Sequence, residues 1–280
     1  MSSDTALATK AAEIILQADC IVIAAGAGMG VDSGLPDFRG TEGFWRAYPA
    51  LRAAGLDFIS VASPRTFRDD PSLAWGFYGH RLALYRATQP HAGFGIVKAW
   101  ADQALHGGFV FTSNVDGHFQ KAGFEDRHME ECHGSLHHLQ CSRPCANEVW
   151  SADTVVPQID TEQCRWQGEL PRCPKCGAVA RPNILMFGDF EWIEERSDAQ
   201  RVRRNRWLSN VERPAIIEMG AGVDIPSVRQ FGHSLVRSKG ARLIRLNPRE
   251  SAVPSSMDVG WSIGALEGLQ RIQQEMQRSS

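Results

Sequence analysis

The sequence predicts an α/β fold built on a parallel sheet, and three observations predict it. Four short apolar runs end in small or polar residues: "CIVIAAG" from Cys20, "GFVFTSN" from Gly108, "PAIIEMGAG" from Pro214 and "ARLIRLN" from Ala241. Helix-like segments lie between them. The chain, at 280 residues, is long enough for one large domain or one domain carrying an inserted lobe. Apolar runs without polar alternation suit strands covered on both faces. Parallel strands joined by helices collect ligand groups at their C-terminal ends.

Taken in order, Thr5 to Ala18 has helical periodicity, with Leu7, Ala11, Ile14, Ile15 and Ala18 near one face and Asp4 or Thr5 as cap. The first strand then runs into "GAGMGVDSG", where Gly26 and Gly28 let the backbone approach a pyrophosphate. The string lacks the lysine of a phosphate-binding P-loop, and by itself it also reads as a tight strand-to-helix turn. A last helix is expected over about 264–277. The chain, 1–280, reads as a single domain interrupted twice. Residues 42–90 are aromatic-rich and helical in pattern ("SLAWGFYGHRLALYR"), and residues 137–182 hold most of the cysteines.

Composition narrows the class. Apolar residues make 43% and charged residues 22%, ordinary for a soluble enzyme, and the formal charge of -2 gives no electrostatic reason to expect nucleic acid. The basic string "RVRRNRW" follows "DFEWIEER" and reads as a solvated helix face. The N-terminus lacks a secretory pattern and no run is long and apolar enough to span a bilayer, so a cytoplasmic chain without a membrane partner is expected. Its seven cysteines should then be reduced thiols or metal ligands.

Four of them form "CSRPC" and "CPKC": Cys141, Cys145, Cys173 and Cys176. Two close pairs in proline-containing turns can aim four thiolates at one point, the S4 set of a structural zinc site. With no ligand position left for water, such a zinc holds the fold and does no chemistry. Free thiols or a redox pair are the alternatives, and Cys164 is a stand-in ligand. Cys20 and Cys132 should pack as small apolar residues.

The glycine string gains meaning from the blocks downstream of it: "PDFRG", "TSNVDG", "ECHGS", the cysteine pairs, "RPNILMFGD", "MGAG" and "RLN". In this order, across nearly the whole chain, the blocks resemble the sirtuins, protein-lysine deacylases that consume nicotinamide adenine dinucleotide (NAD). The resemblance implies a Rossmann-like parallel-sheet domain and a smaller inserted lobe, a zinc ribbon plus a helical module, with the active site between them. It implies NAD as co-substrate, acylated protein lysines as partners, and release of nicotinamide and O-acyl-ADP-ribose. Gly26, Ala27 and Gly28 would line the pyrophosphate. Asp37, Phe38 and Arg39 would cap the nicotinamide and its ribose. Ser113, Asn114 and Asp116 would stand beside them, and Gly220, Ala221, Gly222, Asn247 and Ala265 would hold the nucleotide.

His133 matches the family's general base. The chemistry agrees: once an amide oxygen has attacked the anomeric carbon, an imidazole with a pKa near 6.5 can take a ribose hydroxyl proton at neutral pH. His137 and His138 read as structural. Tyr78 and Arg81, three apart and so on one helix face, match a pair that contacts the distal carboxylate in the subgroup acting on acidic acyl chains. The alternative there is an exposed Arg81 and a core Tyr78.

The pattern also departs from the family. Gly30 stands for a serine, "GAG" at 220–222 for Gly-Thr-Ser, Ser113 for a glutamine, and "FGDFEW" lacks a proline. Each lost polar contact is worth about 1 kcal/mol of binding. Two other functions therefore stay in view: NAD hydrolysis or ADP-ribosyl transfer, and non-catalytic sensing of NAD or ADP-ribose.

Overall fold

The computed structural model describes residues 3–36 and 41–279. Its main sheet has six strands, all parallel: β1 (Cys20–Ala25), β2 (Gly108–Thr112), β3 (Met129–Glu131), β9 (Pro214–Met219), β10 (Arg242–Leu246) and β11 (Val259–Trp261). Their order is β11-β10-β9-β1-β2-β3. The four apolar runs are the four central strands. The edge strands β3 and β11, three residues each, carry too short a pattern to be read from sequence.

Period-two burial explains why β1 is apolar throughout. Ile21, Ile23 and Ala25 face one core, and Cys20, Val22 and Ala24 face the other. The first core is closed by the helices Ser3–Gln17, Ala92–Gln103 and Ala265–Ser279 through Ala8, Ala11, Ile15, Val97, Leu269 and Ile272. The second is closed by Glu195–Leu208 and Ser227–Lys239. The basic string lies on the former helix but is only partly solvated. Arg201 and Arg206 are exposed, whereas Arg204 pairs with buried Glu130 at 2.7 Å over the Phe111 and Phe231 rings.

The chain leaves this sheet twice. Between β1 and β2 it forms a set of helices ending in Pro71–Ala87, whose first turn is capped by Asp70. Between β3 and the helix from Glu195 it forms a three-stranded antiparallel sheet, β5-β4-β8, from β4 (Gly134–Cys141), β5 (Val149–Ser151) and β8 (Ala180–Ile184). A small ribbon, β6 (Ile159–Asp160) with β7 (Arg165–Trp166), completes it. The two excursions share one aromatic core. Trp75 donates its indole N–H to the Ala180 carbonyl at 2.8 Å, and Arg165 forks onto Asp70 at 2.8 and 3.0 Å. Each fully buried Phe or Leu in this core contributes about 1.5–3 kcal/mol. No described helix is long and apolar enough to cross a membrane.

Candidate active site

Because β1, β2 and β3 run to one side of the sheet and β9, β10 and β11 to the other, the switch in strand order lies between β1 and β9. Ligands of open parallel sheets gather at such a point. Here two glycine loops meet backbone to backbone. The N–H of Gly28 donates to the Gly220 carbonyl at 3.0 Å, and that of Gly26 to Met219 at 3.0 Å. A methyl on Gly28 would stand 2.7 Å from the Gly220 Cα, and one on Gly26 2.7 Å from the Ala221 Cα. Gly220, with φ of 60°, faces Gly28 at 2.4 Å in the same sense. These glycines are fixed first by each other, and only then by any ligand.

Beside them opens a cavity of about 380 Å³ lined by Gly28, Asp32, Gly220, Asn247, Arg249 and Ala265, among others. Its lining combines glycines and apolar residues with Asp32, Asn247 and Arg249, a mixture that suits part of a dinucleotide. Asn247 works from behind: its amide donates to the Ala221 carbonyl at 2.9 Å, and its oxygen accepts from the N–H groups of Arg249 and Glu250. Arg229 donates to the same Ala221 carbonyl. Asp32 accepts from the Leu266 N–H at 2.8 Å, joining the first loop to the last helix. Of the expected cofactor residues, Gly28, Gly220, Asn247 and Ala265 line this cavity; Asp32 and Arg249 join them without a sequence signal of their own. Asp37, Phe38 and Arg39 lie outside the described residues. A side chain at Gly30 would meet only the flexible end of Leu35, Cδ1, at 2.9 Å, and Ala221 is buried in the core.

Further along the same edge stand the polar residues after β2 and β3. Ser113 donates its N–H to the Ala25 carbonyl, and Asn114 donates its amide to the Gly26 carbonyl at 3.0 Å. Asp116, buried, accepts from the His118 N–H at 2.9 Å, and His137 contacts the Asp116 carbonyl at 2.9 Å. His133, half-buried, places Nε2 3.1 Å from Ser227 Oγ at the start of the helix Ser227–Lys239. Burial lowers its pKa below the usual histidine value, and the Ser113 backbone carbonyl works the other way. The imidazole is therefore neutral at neutral pH and able to accept a proton. His138, by contrast, is structural, with burial pulling its pKa down to about 4. Ser227 escapes sequence reasoning, since a lone serine after "GAGVDIP" carries no signal.

In the smaller lobe, Tyr78 and Arg81 are both buried, which excludes the exposed reading of the arginine. Tyr78 stacks on Phe67 at 5.7 Å. Arg81 donates to a different hydroxyl, Tyr85 Oη, at 2.5 and 3.0 Å, and lies 5.3 Å from the Phe77 ring centre. Its hydroxyl partner is thus the tyrosine four residues on, one helical turn, and not the one three residues back.

The thiols of Cys141, Cys145, Cys173 and Cys176 converge, all within 4.8 Å of one another, with 3.6 Å between Cys141 and Cys176 and between Cys145 and Cys173. Four sulfurs at about 2.3 Å around one zinc stand about 3.8 Å apart, so the set fits a tetrahedral ion. Cys164 is not part of it. Buried in the aromatic core with φ of 54°, it presses its carbonyl against Gly76. Cys20 is buried in the core and Cys132 packs against it.

The arrangement has relatives. A curated NAD-dependent protein deacylase 1 of Pseudomonas aeruginosa is 31% identical over 239 residues, covering 85% of this chain and 86% of that protein. An NAD-dependent protein deacylase of Aquifex aeolicus is 28% identical, covering 90% and 93%. A solved complex of a Sir2 homolog with NAD has the same fold, with a TM-score of 0.71 at 23% identity over 100% of this chain and 95% of that one. The Sir2 family model matches residues 26–204, from the first glycine loop through the cysteine lobe to the helix beyond it. Spanning both the strand-switch loop and the zinc-type cluster, that match covers well over half of the sequence, and the chain belongs to the Sir2 family.

Proposed function

We propose that this protein is an NAD-dependent protein-lysine deacylase in which His133 is the general base. NAD supplies a ribose carbon whose bond to nicotinamide breaks as the acyl oxygen of the substrate bonds to it. The protein supplies the rest. Gly28 and Gly220 let the dinucleotide lie against backbone, while Asp32, Arg249 and Asn247 give the rim its polarity. Asn114, pinned on the Gly26 carbonyl, and Asp116, capping the turn at His118, face the nicotinamide side. His133 takes the proton from a ribose hydroxyl through Nε2.

The observation that carries this reading is the half-buried imidazole held 3.1 Å from Ser227 Oγ at the C-terminal edge of the sheet, its pKa lowered by burial. General base catalysis is worth about 10²–10⁴-fold. His133→Ala should lower deacylation of an acyl-lysine peptide by that order while NAD still binds in a calorimetric titration. Near-normal turnover would remove His133 from the role.

For the acyl group, the reading is a preference for acidic chains. Arg81 is a cation buried among Phe58, Phe77 and Tyr85, where a distal carboxylate would gain a charge-assisted fork. Succinyl-lysine should be removed faster than acetyl-lysine, with Arg81→Met reversing the order. An acetyl preference that Arg81→Met leaves untouched contradicts it. Zinc in the four-cysteine cluster holds the smaller lobe together. The place of action is the cytoplasm, where cysteines outside disulfides, as all seven are here, stay reduced or bind metal.

A further inference from the structure

The cavity beside the two glycine loops is bounded on one side by the turn Ala27–Ser33, which supplies Gly28, Val31 and Asp32 to its lining. What holds that turn lies elsewhere in the chain. Met29 and Ser33, which flank Val31 and Asp32, are both bonded to His91, the cap of the helix Ala92–Gln103. The His91 backbone N–H donates to Ser33 Oγ at 3.0 Å, and the ring nitrogen Nε2 lies 2.9 Å from the Met29 carbonyl. A third bond, from the Gly93 N–H to His91 Nδ1 at 3.0 Å, closes the cap. These partners assign the tautomer. A carbonyl only accepts, so Nε2 carries the proton; an amide N–H only donates, so Nδ1 carries none. Glycine at position 93 leaves the room that the ring occupies, since a methyl there would stand 2.5 Å from His91 Cε1.

We propose that His91 is a positioning residue of the dinucleotide site: as the neutral imidazole it fastens the turn Ala27–Ser33 in the shape that admits NAD, and its protonation releases that turn. The proposal rests on the deacylase reading for the identity of the ligand. It adds a residue that does not line the cavity and acts on it through Met29 and Ser33. A proton on Nδ1 would turn that nitrogen from acceptor to donor, facing the Gly93 N–H. It would also place a positive charge at a helix N-terminus, where the dipole disfavours one. Burial, the largest influence, lowers the His91 pKa. The Met29 carbonyl and the Asp32 carboxylate on the turn work the other way, and His118, buried against Phe94, adds to the lowering. The neutral form is therefore the one present at neutral pH, and the anchorage is lost as pH falls through the lowered value. Because bound NAD needs the fastened turn, its affinity should fall over the same range, below pH 6.5.

The test is NAD affinity, by calorimetric titration of the full chain between about pH 7.5 and about pH 5. A His133→Ala background keeps the proposed base out of the pH dependence, and circular dichroism checks the fold at each pH. Affinity is expected to fall as pH drops below 6.5. His91→Asn keeps a side-chain acceptor for the helix cap without the reach to Met29. It should weaken NAD binding at neutral pH by about fivefold, the worth of one hydrogen bond, and flatten the pH dependence. With His133 intact, its loss should fall on KM for NAD more than on kcat. Ser33→Ala removes the other tie and leaves the imidazole in place. It should weaken binding to a similar degree and keep the pH dependence, which tests the inference even where His91→Asn does not fold. An affinity that is flat in pH, or His91→Asn and Ser33→Ala proteins that bind NAD as the parent does, overturns this inference alone. A protein that binds no NAD at any pH overturns it together with the deacylase reading.

Discussion

At the scale of single residues, the proposed chemistry depends on keeping the His133 imidazole uncharged. Burial lowers the His133 pKa below 6.5, so the neutral form that accepts a proton persists into mildly acidic solution. The acid limb of kcat for deacylation should therefore have its midpoint below pH 6.5, and activity should fall only as pH drops through that lowered value. A midpoint above 6.5 would mean that the histidine is stabilised in its charged form, and would contradict the burial argument. Arg181 illustrates the opposite solution to burial. Fully enclosed, its guanidinium is met by Asp189 with two bonds, at 2.7 and 3.0 Å, and the same carboxylate accepts the Glu191 N–H.

At the scale of elements, the two glycine loops form one unit whose energetics separate into backbone conformation and steric contact. Gly220 has positive φ, and a Cβ added to it would lie 2.4 Å from Gly28, whereas Gly34 has positive φ with open space around it. Gly34→Ala should cost about 1–2 kcal/mol from backbone strain alone, and Gly220→Ala about 1–3 kcal/mol more for the collision. Urea unfolding at constant m measures both. Equal losses would show that the loops do not meet. Much of this unit is legible in the sequence: "CIVIAAG" and "PAIIEMGAG" announce strands that end in glycine, and all four central strands can be read from their apolar runs. The close approach of the two loops cannot, because it joins residues 192 positions apart in sequence through backbone atoms that no side-chain pattern records. Ser227 and Tyr85 are illegible for a related reason: each acts through a partner fixed by three-dimensional packing. The cysteine spacing, by contrast, states its own geometry, and the four thiols converge as expected.

At the scale of the whole molecule, the sheet and the smaller lobe divide the work. In the proposed function the sheet holds the dinucleotide in the cavity beside the switch between β1 and β9. The lobe, built from an aromatic core and four converging thiols, carries Arg81 and the chain that continues from His133. The proposed base sits where one leads into the other, since His133 lies between β3 of the main sheet and β4 of the lobe. Deacylation thus requires both parts and a lysine substrate. The most direct test is sustained nicotinamide release from NAD, measured with and without an acyl-lysine peptide. The account predicts continuous turnover only with peptide. Sustained release in the absence of peptide, at the rate seen in its presence, would contradict the account.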